Sequence, residues 1–292
     1  MPELPEVEVT RRKIEHALIG RTVTVVTTTP NSYFFITPPD TLERLLPGQS
    51  ATRLERLGKY LVASFDSGDR LLLHLGMTGQ LFVHGASSVR LLSATGGGSL
   101  TPEGQLAAFE ADEHTHLQLA FRDGGPRVLF RDVRKFGKVQ LLRPGEAATR
   151  LEKLGVDALA ATAGDLLRAT RGRRLVIKTL LLDQSVLAGV GNIYADEALF
   201  LAGVRPTRRA ARVTRNDADR IVTALQQVLR RSIDTGGASI NDYVQPDGED
   251  GTYQDERRVY GRAGEPCPNC RTPILRRVIG QRSSHYCRRC QH

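Results

Sequence analysis

The chain has no tryptophan, and aromatic residues make up only 5% of its 292 positions. It has no cysteine before position 267, which excludes a disulfide framework spread through the fold. No apolar run approaches the roughly 20 residues that a membrane span requires. The opening residues are charged and lack the apolar core of a secretion signal, so the expected compartment is the cytoplasm. A hydrophobic content of 40% is that of an ordinary globular protein, and the length suffices for two domains with separate cores.

Acidic residues are scarce at one end. Residues 1–140 hold 16 Lys/Arg against 15 Asp/Glu, whereas 141–292 hold 25 against 17. Residues 256–292 alone carry nine arginines against two glutamates. Basic charge gathered in this way suits a polyanion, most often nucleic acid, with solvated surface charge as the alternative.

Val7, Thr10, Ile14 and Leu18 recur at helical spacing behind Pro5, and Gly20 ends the run. Arg21–Thr29 then alternates apolar and polar residues, many of them β-branched, as a half-buried strand does. Tyr60–Phe65, Leu71–Leu75, Gln80–Val83, Thr115–Phe121, Arg127–Phe130 and Lys138–Leu142 are further short strands. So many strands behind one helix predict an antiparallel sandwich or barrel over 1–142. Residues 85–113 dissolve into Ser, Gly, Ala and Thr and read as a surface loop insertion. Past Arg143-Pro144-Gly145 the spacing turns helical, at 150–154, 163–171, 175–182, 193–201 and 216–233. The expected class is α+β, with domains over 1–142, 150–255 and 256–292.

All four cysteines fall in Cys267-Pro-Asn-Cys270 and Cys287-Arg-Arg-Cys290, separated by sixteen residues. Two such knuckles read as one tetrahedral four-thiolate zinc site. Four protein ligands leave no open position, so the ion would be structural. Paired disulfides are the competing reading.

The first six residues, Met1-Pro2-Glu3-Leu4-Pro5-Glu6, put two carboxylates beside a proline that becomes terminal once Met1 is removed. An α-amino group has a pKa of about 7.7–8.0, so its free base is far more abundant at neutral pH than that of lysine, at about 10.4. Such an amine can attack an electrophilic carbon without a special pocket. Glu3 and Glu6 would lie at the positive end of the following helix. Pro and Glu are also ordinary residues for a helix start.

This opening string resembles the amino terminus of the formamidopyrimidine-DNA glycosylase (Fpg/MutM) family, bacterial repair enzymes for oxidised purines in which the proline is the nucleophile. Later motifs extend the resemblance over nearly the whole chain. Leu57-Gly58-Lys59-Tyr60 looks like the segment whose lysine neutralises phosphate near the scissile sugar. His74-Leu-Gly-Met77-Thr-Gly79 and Arg131-Asp-Val-Arg134-Lys-Phe136-Gly137 match segments whose residues at Met77, Arg134 and Phe136 fill the gap left by an everted nucleotide. Base eversion leaves a hole and an orphaned partner, which an apolar wedge and an arginine can satisfy. Gly189-Val-Gly-Asn192 through Glu197 resembles the helix-two-turns-helix, with Asn192 on the lesion-strand backbone. Lys178 stands where a family lysine reaches toward the lesion. The stretch from Tyr260 through Cys290 looks like the family zinc finger, in which Arg282 grips phosphate. Asp242 to Tyr260 resembles a loop that closes over the damaged base. Taken by residue type alone, Met77 fits a core, Lys59 a solvated turn and Asn192 a helix cap. The connection at 85–113 is longer than the family's usual one.

The resemblance implies a catalytic helix and antiparallel β-sandwich, then a helix-two-turns-helix domain ending in a zinc-finger hairpin. It implies a bifunctional DNA glycosylase and abasic-site lyase of base excision repair, acting on 8-oxoguanine and formamidopyrimidines by β,δ-elimination. The site would comprise Pro2, Glu3, Glu6 and Lys59 for catalysis, and His74, Met77, Arg134, Phe136, Lys178, Asn192 and Arg282 for DNA. Cys267, Cys270, Cys287 and Cys290 would hold one Zn2+. The partner is lesion-bearing double-stranded DNA rather than a membrane, and the expected form is a monomer associated with the nucleoid. An endonuclease VIII-like pyrimidine glycosylase shares the nucleophile, but Leu4 and the Met77/Arg134/Phe136 set favour the purine branch. A non-catalytic zinc-ribbon DNA-binding protein would instead retain Met1.

Overall fold

The computed structural model describes residues 2–90, 107–240 and 243–292. Met1, Asp242 and the middle of the 85–113 insertion lie outside them. The chain divides into two compact units, Met1–Ala148 with Thr235–Thr252, and Thr149–Asp234 with Tyr253–His292. Thr235–Thr252, which the sequence groups with a helical domain over 150–255, thus belongs with the first unit.

The first unit begins with α1 (Leu4–Leu18). Glu3 caps it. The Glu3 carboxylate takes the amide of Glu6, and the Glu6 carboxylate reaches back to the Glu3 amide at 2.8 Å, a reciprocal box at the helix start. Pro5 fits the first turn because its missing N–H has no partner there. At the far end Gly20 turns the chain at φ +77°, a conformation that glycine adopts without strain.

Two four-stranded antiparallel sheets follow. One runs β1 (Val23–Thr28), β6 (Thr115–Phe121), β7 (Val128–Asp132), β5 (Gly79–Val83). The other runs β2 (Ala51–Leu57), β3 (Tyr60–Phe65), β4 (Arg70–His74), β8 (Lys138–Leu142). One buried cluster draws Val23, Leu119 and Phe130 from the first sheet, Leu61, Leu73 and Leu141 from the second, and Val7, Ile14 and Leu18 from α1. The sheets therefore share a core that α1 joins, the sandwich that the alternating pattern implies. Burial of each such side chain contributes about 1.5–3 kcal/mol.

The sequence pattern does not predict β2 or α2 (Pro39–Leu45). β2 is an edge strand, and Arg53, Glu55 and Arg56 on it obscure the alternation. Pro39 starts α2 instead of breaking it, because proline is tolerated at the first helical position.

A smaller cluster lies on the other face of β5 and β7, where Phe82 and Leu129 meet Ala86, Phe109 and Val244. Ala86 and Phe109 lie near the two ends of the 85–113 insertion, and the Phe109 amide donates to the Ala86 carbonyl at 2.7 Å. The segment after Tyr243 rides on this flank. Val83 donates its amide to the Pro246 carbonyl at 3.0 Å, Arg90 pairs with Asp250 at 3.2 Å, and Lys13 pairs with Asp247. Gly248, at φ +96°, presses so closely on the Ser87 main chain that a Cβ would overlap it.

The second unit holds α3 (Ala163–Thr170), α4 (Ile177–Leu182), α5 (Asn192–Leu201) and α6 (Arg215–Asp234). Thr214 caps α6, its hydroxyl accepting the Asp217 amide at 3.1 Å. Ala218, Ile221, Leu225 and Leu229 form the buried stripe of α6 at spacings of three and four. The unit ends in the hairpin of β9 (Leu275–Ile279) and β10 (Arg282–Tyr286). Phe200 of α5 packs with Val259, Ile274, Cys267 and Cys287, so the cysteine end of the hairpin has a small apolar floor.

Candidate active site and nucleic-acid interface

Pro2 is buried at the start of α1, and beside it Glu3 is 2% exposed. Glu6 is 1% exposed, and each of its carboxylate oxygens accepts a main-chain N–H. One comes from Glu3 at 2.8 Å, the other from Ala238 at 2.9 Å. The Tyr243 hydroxyl donates to the Glu6 carbonyl at 3.2 Å. Burial, together with the nearby Glu6 carboxylate, pushes the Tyr243 phenol up, so it stays protonated. Glu6 is thus a clamp between α1 and residues 237–238, and Gly237 leaves it room: a Cβ there would lie 3.2 Å from the Glu6 Oε1. Lys59 is half-buried in the turn joining β2 and β3, behind Gly58 at φ +58°.

A second cluster in the same unit gathers four of the expected DNA contacts. His74 closes β4, its ring centroid 4.8 Å from that of Tyr60, and its Nδ1 accepts the Gly76 amide at 3.1 Å. Gly76, at φ +64°, lies against the main chain of Phe136 and Gly137; a Cβ would fall 2.5 Å from the Phe136 carbonyl carbon. Asp132, wholly buried, ties the two turns together. One carboxylate oxygen takes the Thr78 hydroxyl at 2.5 Å and the Arg134 amide at 3.2 Å, and the other takes the Gly137 amide at 2.6 Å. Met77 and Phe136 are left 36% and 41% exposed, and the Arg134 guanidinium lies 4.5 Å over the Phe136 ring. Met77 and Phe136 thus lie outside the core, on turns that the buried Asp132 carboxylate holds together. Sequence reasoning missed Asp132 and Gly76, although both lie inside the motifs it singled out.

In the second unit, Lys178, Asn192 and Arg282 converge on one peptide. The Asn192 amide and the Lys178 ammonium both donate to the Ser283 carbonyl at 2.9 Å, next to exposed Arg282. Asn192 therefore braces the hairpin and leaves the capping position to Gly191. Lys178 is wholly buried, paired at 2.6 Å with Asp196, whose other oxygen takes the His285 amide at 2.8 Å. The wholly buried ammonium is therefore not at the surface, and what it positions is the hairpin near its tip. Neighbouring Glu197 accepts the amides of Arg258, Val259 and Tyr260 at 2.8–2.9 Å. Burial pushes its carboxyl up, and those three amides oppose the shift.

The four cysteine sulfurs lie within 4.8 Å of one another. Cys267 and Cys290 are 3.8 Å apart and Cys270 and Cys287 3.4 Å, too far for disulfides of about 2.05 Å. Tetrahedral zinc with Zn–S near 2.3 Å places sulfurs roughly 3.8 Å apart, so the donor set fits that ion. Hydrogen bonds from Thr272 bring the Cys270 thiol down to about 6, while burial pushes Cys287 and Cys290 up, a cost that a divalent cation offsets.

The chain matches the formamidopyrimidine-DNA glycosylase N-terminal domain over residues 1–139, that family's H2TH domain over 143–244, and a zinc finger found in FPG and IleRS over 264–292. It is 42% identical to the formamidopyrimidine-DNA glycosylase of Thioalkalivibrio sulfidiphilus over the full length of both chains. The chain belongs to the formamidopyrimidine-DNA glycosylase family. The relative from Solibacter usitatus is 38% identical over 100% of this chain and 99% of its own. Among solved glycosylase structures, MutM (Fpg) of Thermus thermophilus superposes with a TM-score of 0.82 at 34% identity, covering 99% of this chain and 98% of its own. Lactococcus lactis Fpg in complex with DNA containing an abasic site gives 0.84 at 28% identity, covering 99% of both. The glycosylase zinc-finger match covers all four cysteines, and the site holds one structural zinc.

Proposed function

We propose that this enzyme is a bifunctional DNA glycosylase and abasic-site lyase of base excision repair that removes oxidised purines from duplex DNA. The observation that carries the reading is the start of α1. Pro2 sits beside a buried Glu3, and Glu6 is clamped by two amides, so nucleophile and acid are separate groups on a fixed support. The Pro2 nitrogen attacks C1′ of an everted nucleotide while Glu3 protonates the ring oxygen. The C1′–N bond to the base breaks, the sugar opens and an iminium joins Pro2 to C1′. That cation acidifies the C2′ proton. Its loss expels the 3′ phosphate, and a second elimination expels the 5′ phosphate. Hydrolysis of the iminium returns the free amine.

The other residues would serve the DNA. Lys59 would neutralise phosphate near the sugar and His74 would donate to the DNA backbone from Nε2, while Met77 and Phe136 would fill the vacated stack, with Arg134 on the orphaned partner's edge. Arg282 would fork onto a phosphate, a geometry that guanidinium matches. Asn192 and Lys178 would set the hairpin tip that presents it. The zinc supplies no chemistry; its cysteines hold the base of that hairpin. No helix among the described residues is long and apolar enough to cross a membrane, and the expected location is the nucleoid.

Borohydride reduction during turnover of an 8-oxoguanine duplex should trap a covalent adduct that maps to Pro2, in protein whose intact mass shows loss of Met1. An adduct at Lys59, or none with any lesion, would refute the assignment.

A further inference from the structure

The second unit carries a cavity of about 560 Å3 that includes none of the residues assigned above to DNA or zinc. Arg205, Arg208, Arg209 and Arg212 line it, with Thr207, Thr214, Asp217 and His292. Arg208 is paired with Asp217 at 2.8 Å, and Asp217 is shared with Arg220. The other three guanidiniums have no carboxylate partner among the described residues. Arg205 is held in place by the carbonyls of Gln291 and Arg288, at 2.9 and 2.8 Å, and Arg209 by the carbonyl of Arg174 at 2.7 Å. Main-chain carbonyls orient these side chains without neutralising them.

Like charges confined to one hollow repel each other, and an anion shared among them relieves the repulsion. Planar guanidiniums suit phosphate oxygens, two at a time. No apolar residue lines the cavity among the described residues. A protein partner draws its affinity from aromatic or aliphatic anchors seated in pockets, and this cavity offers no such seat. The chemistry favours a phosphodiester chain over an acidic peptide.

The place in the fold separates this cavity from the hairpin tip. Arg205 binds the main chain at the cysteine end of the hairpin, whereas Arg282 begins β10 at the other end. Five residues of strand span roughly 17 Å, about the axial rise of five base pairs.

We propose that this arginine cavity is a second phosphate-binding site, which takes the backbone of duplex DNA away from the phosphates held at the hairpin tip, independently of base sequence or damage. The inference rests on the reading of the chain as a duplex-DNA enzyme. It adds a lesion-independent hold that would keep the protein on undamaged DNA during search.

The test is equilibrium binding of a long undamaged duplex across a salt series. It compares the wild type, the double variant Arg209→Ala/Arg212→Ala, and a control, Arg168→Ala/Arg230→Ala, that removes equal charge from helix surfaces outside the cavity. Circular dichroism and thermal melting of all three establish that each is folded. Each lost phosphate contact should make the log–log slope shallower by about 0.9, roughly an eightfold loss of affinity at about 0.1 M salt. The cavity variant should lose close to two such steps and the control much less. Equal losses in both variants, or an unchanged slope in the cavity variant, would overturn the proposal. So would loss of hexa-aspartate binding with duplex binding intact, since the cavity would then serve an acidic peptide. A wild type that fails to bind duplex at all would instead sink the functional reading beneath it.

Discussion

The Glu6 carboxylate holds the amide of Glu3 at 2.8 Å, so the two acids at the head of α1 are bound in series rather than side by side. The box is reciprocal, and the second Glu6 oxygen is taken by the Ala238 amide, so both Glu6 oxygens are filled by main-chain N–H groups; in the proposed mechanism Glu3 is the proton donor.

Glu3→Gln keeps shape and hydrogen bonding but cannot donate a proton, and lost acid catalysis typically costs about 10²–10⁴-fold. Excision of 8-oxoguanine should therefore nearly vanish, while strand cleavage at a pre-formed abasic site, which needs only the iminium, should largely remain. Glu6→Gln should lower both activities together, because one oxygen can no longer accept an amide. Single-turnover rates on the two duplexes decide this, and equal losses in Glu3→Gln would move the proton-donor role to another group.

Gly76→Ala should separate the wedge from its support. A Cβ there would lie 2.5 Å from the Phe136 carbonyl carbon, and the left-handed backbone adds about 1–2 kcal/mol. The two turns must move apart, so excision should fall while cleavage at an abasic site persists, with a melting temperature lower by several degrees. Met77→Ala should reproduce the excision defect without the thermal one. If Gly76→Ala excises at the wild-type rate, the Asp132 clamp is not what aligns the wedge.

Cys287→Ser should release zinc and, with it, the hairpin. Metal binding and folding of so small a motif are coupled, so spectroscopic signals from β9 and β10 should broaden as duplex affinity drops. Metal analysis should give one zinc per wild-type chain and none in the variant. Full metal content in Cys287→Ser would show that this sulfur is not a ligand.

Arg282→Ala should weaken binding to all duplexes about equally and lower the salt slope by about one unit. An unaltered slope would leave the hairpin tip without its assigned phosphate.

Asp217 gives an acid limit to the second unit. Burial raises its pKa, but hydrogen bonds from Thr214 and Arg220 and the charge of Arg208 outweigh that and bring it to about 2, from 3.8. A lowered folded pKa adds stability that is complete above the unfolded value and is lost as the proton binds. The contribution should therefore fade between about pH 4 and pH 2. Melting curves of Asp217→Asn should be lower than wild type at pH 6 and converge with it near pH 2; a constant gap would show that the carboxylate charge is not the cause.

The sequence revealed what depends on periodicity. α1 and seven of the eight sandwich strands follow from apolar spacing, while β2 is hidden by Arg53, Glu55 and Arg56 on an exposed edge. The zinc site was legible because cysteines carry their chemistry in residue type and spacing, whereas the proposed roles of Pro2 and Glu3 came from the resemblance of the opening string to a family. What was not legible acts through the main chain. Asp132, Glu197 and the Ser283 carbonyl work by accepting hydrogen bonds from groups tens of residues away, and no local pattern marks such a bond. Lys178 shows the same limit: the resemblance places it where a family lysine reaches toward the lesion, and only packing reveals that its ammonium is buried against Asp196.

The contact between Gly248 and Ser87 joins main chain to main chain. Side chains at 86–88 can therefore drift over evolutionary time with little effect on this contact, provided the path of the chain is kept. A substitution at 248 has no such freedom, since any larger residue would lift the whole 243–252 segment from its seat. The foot of the insertion thus meets the 243–252 segment in two ways, by main-chain shape at Ser87 and by apolar packing of Ala86 with Val244.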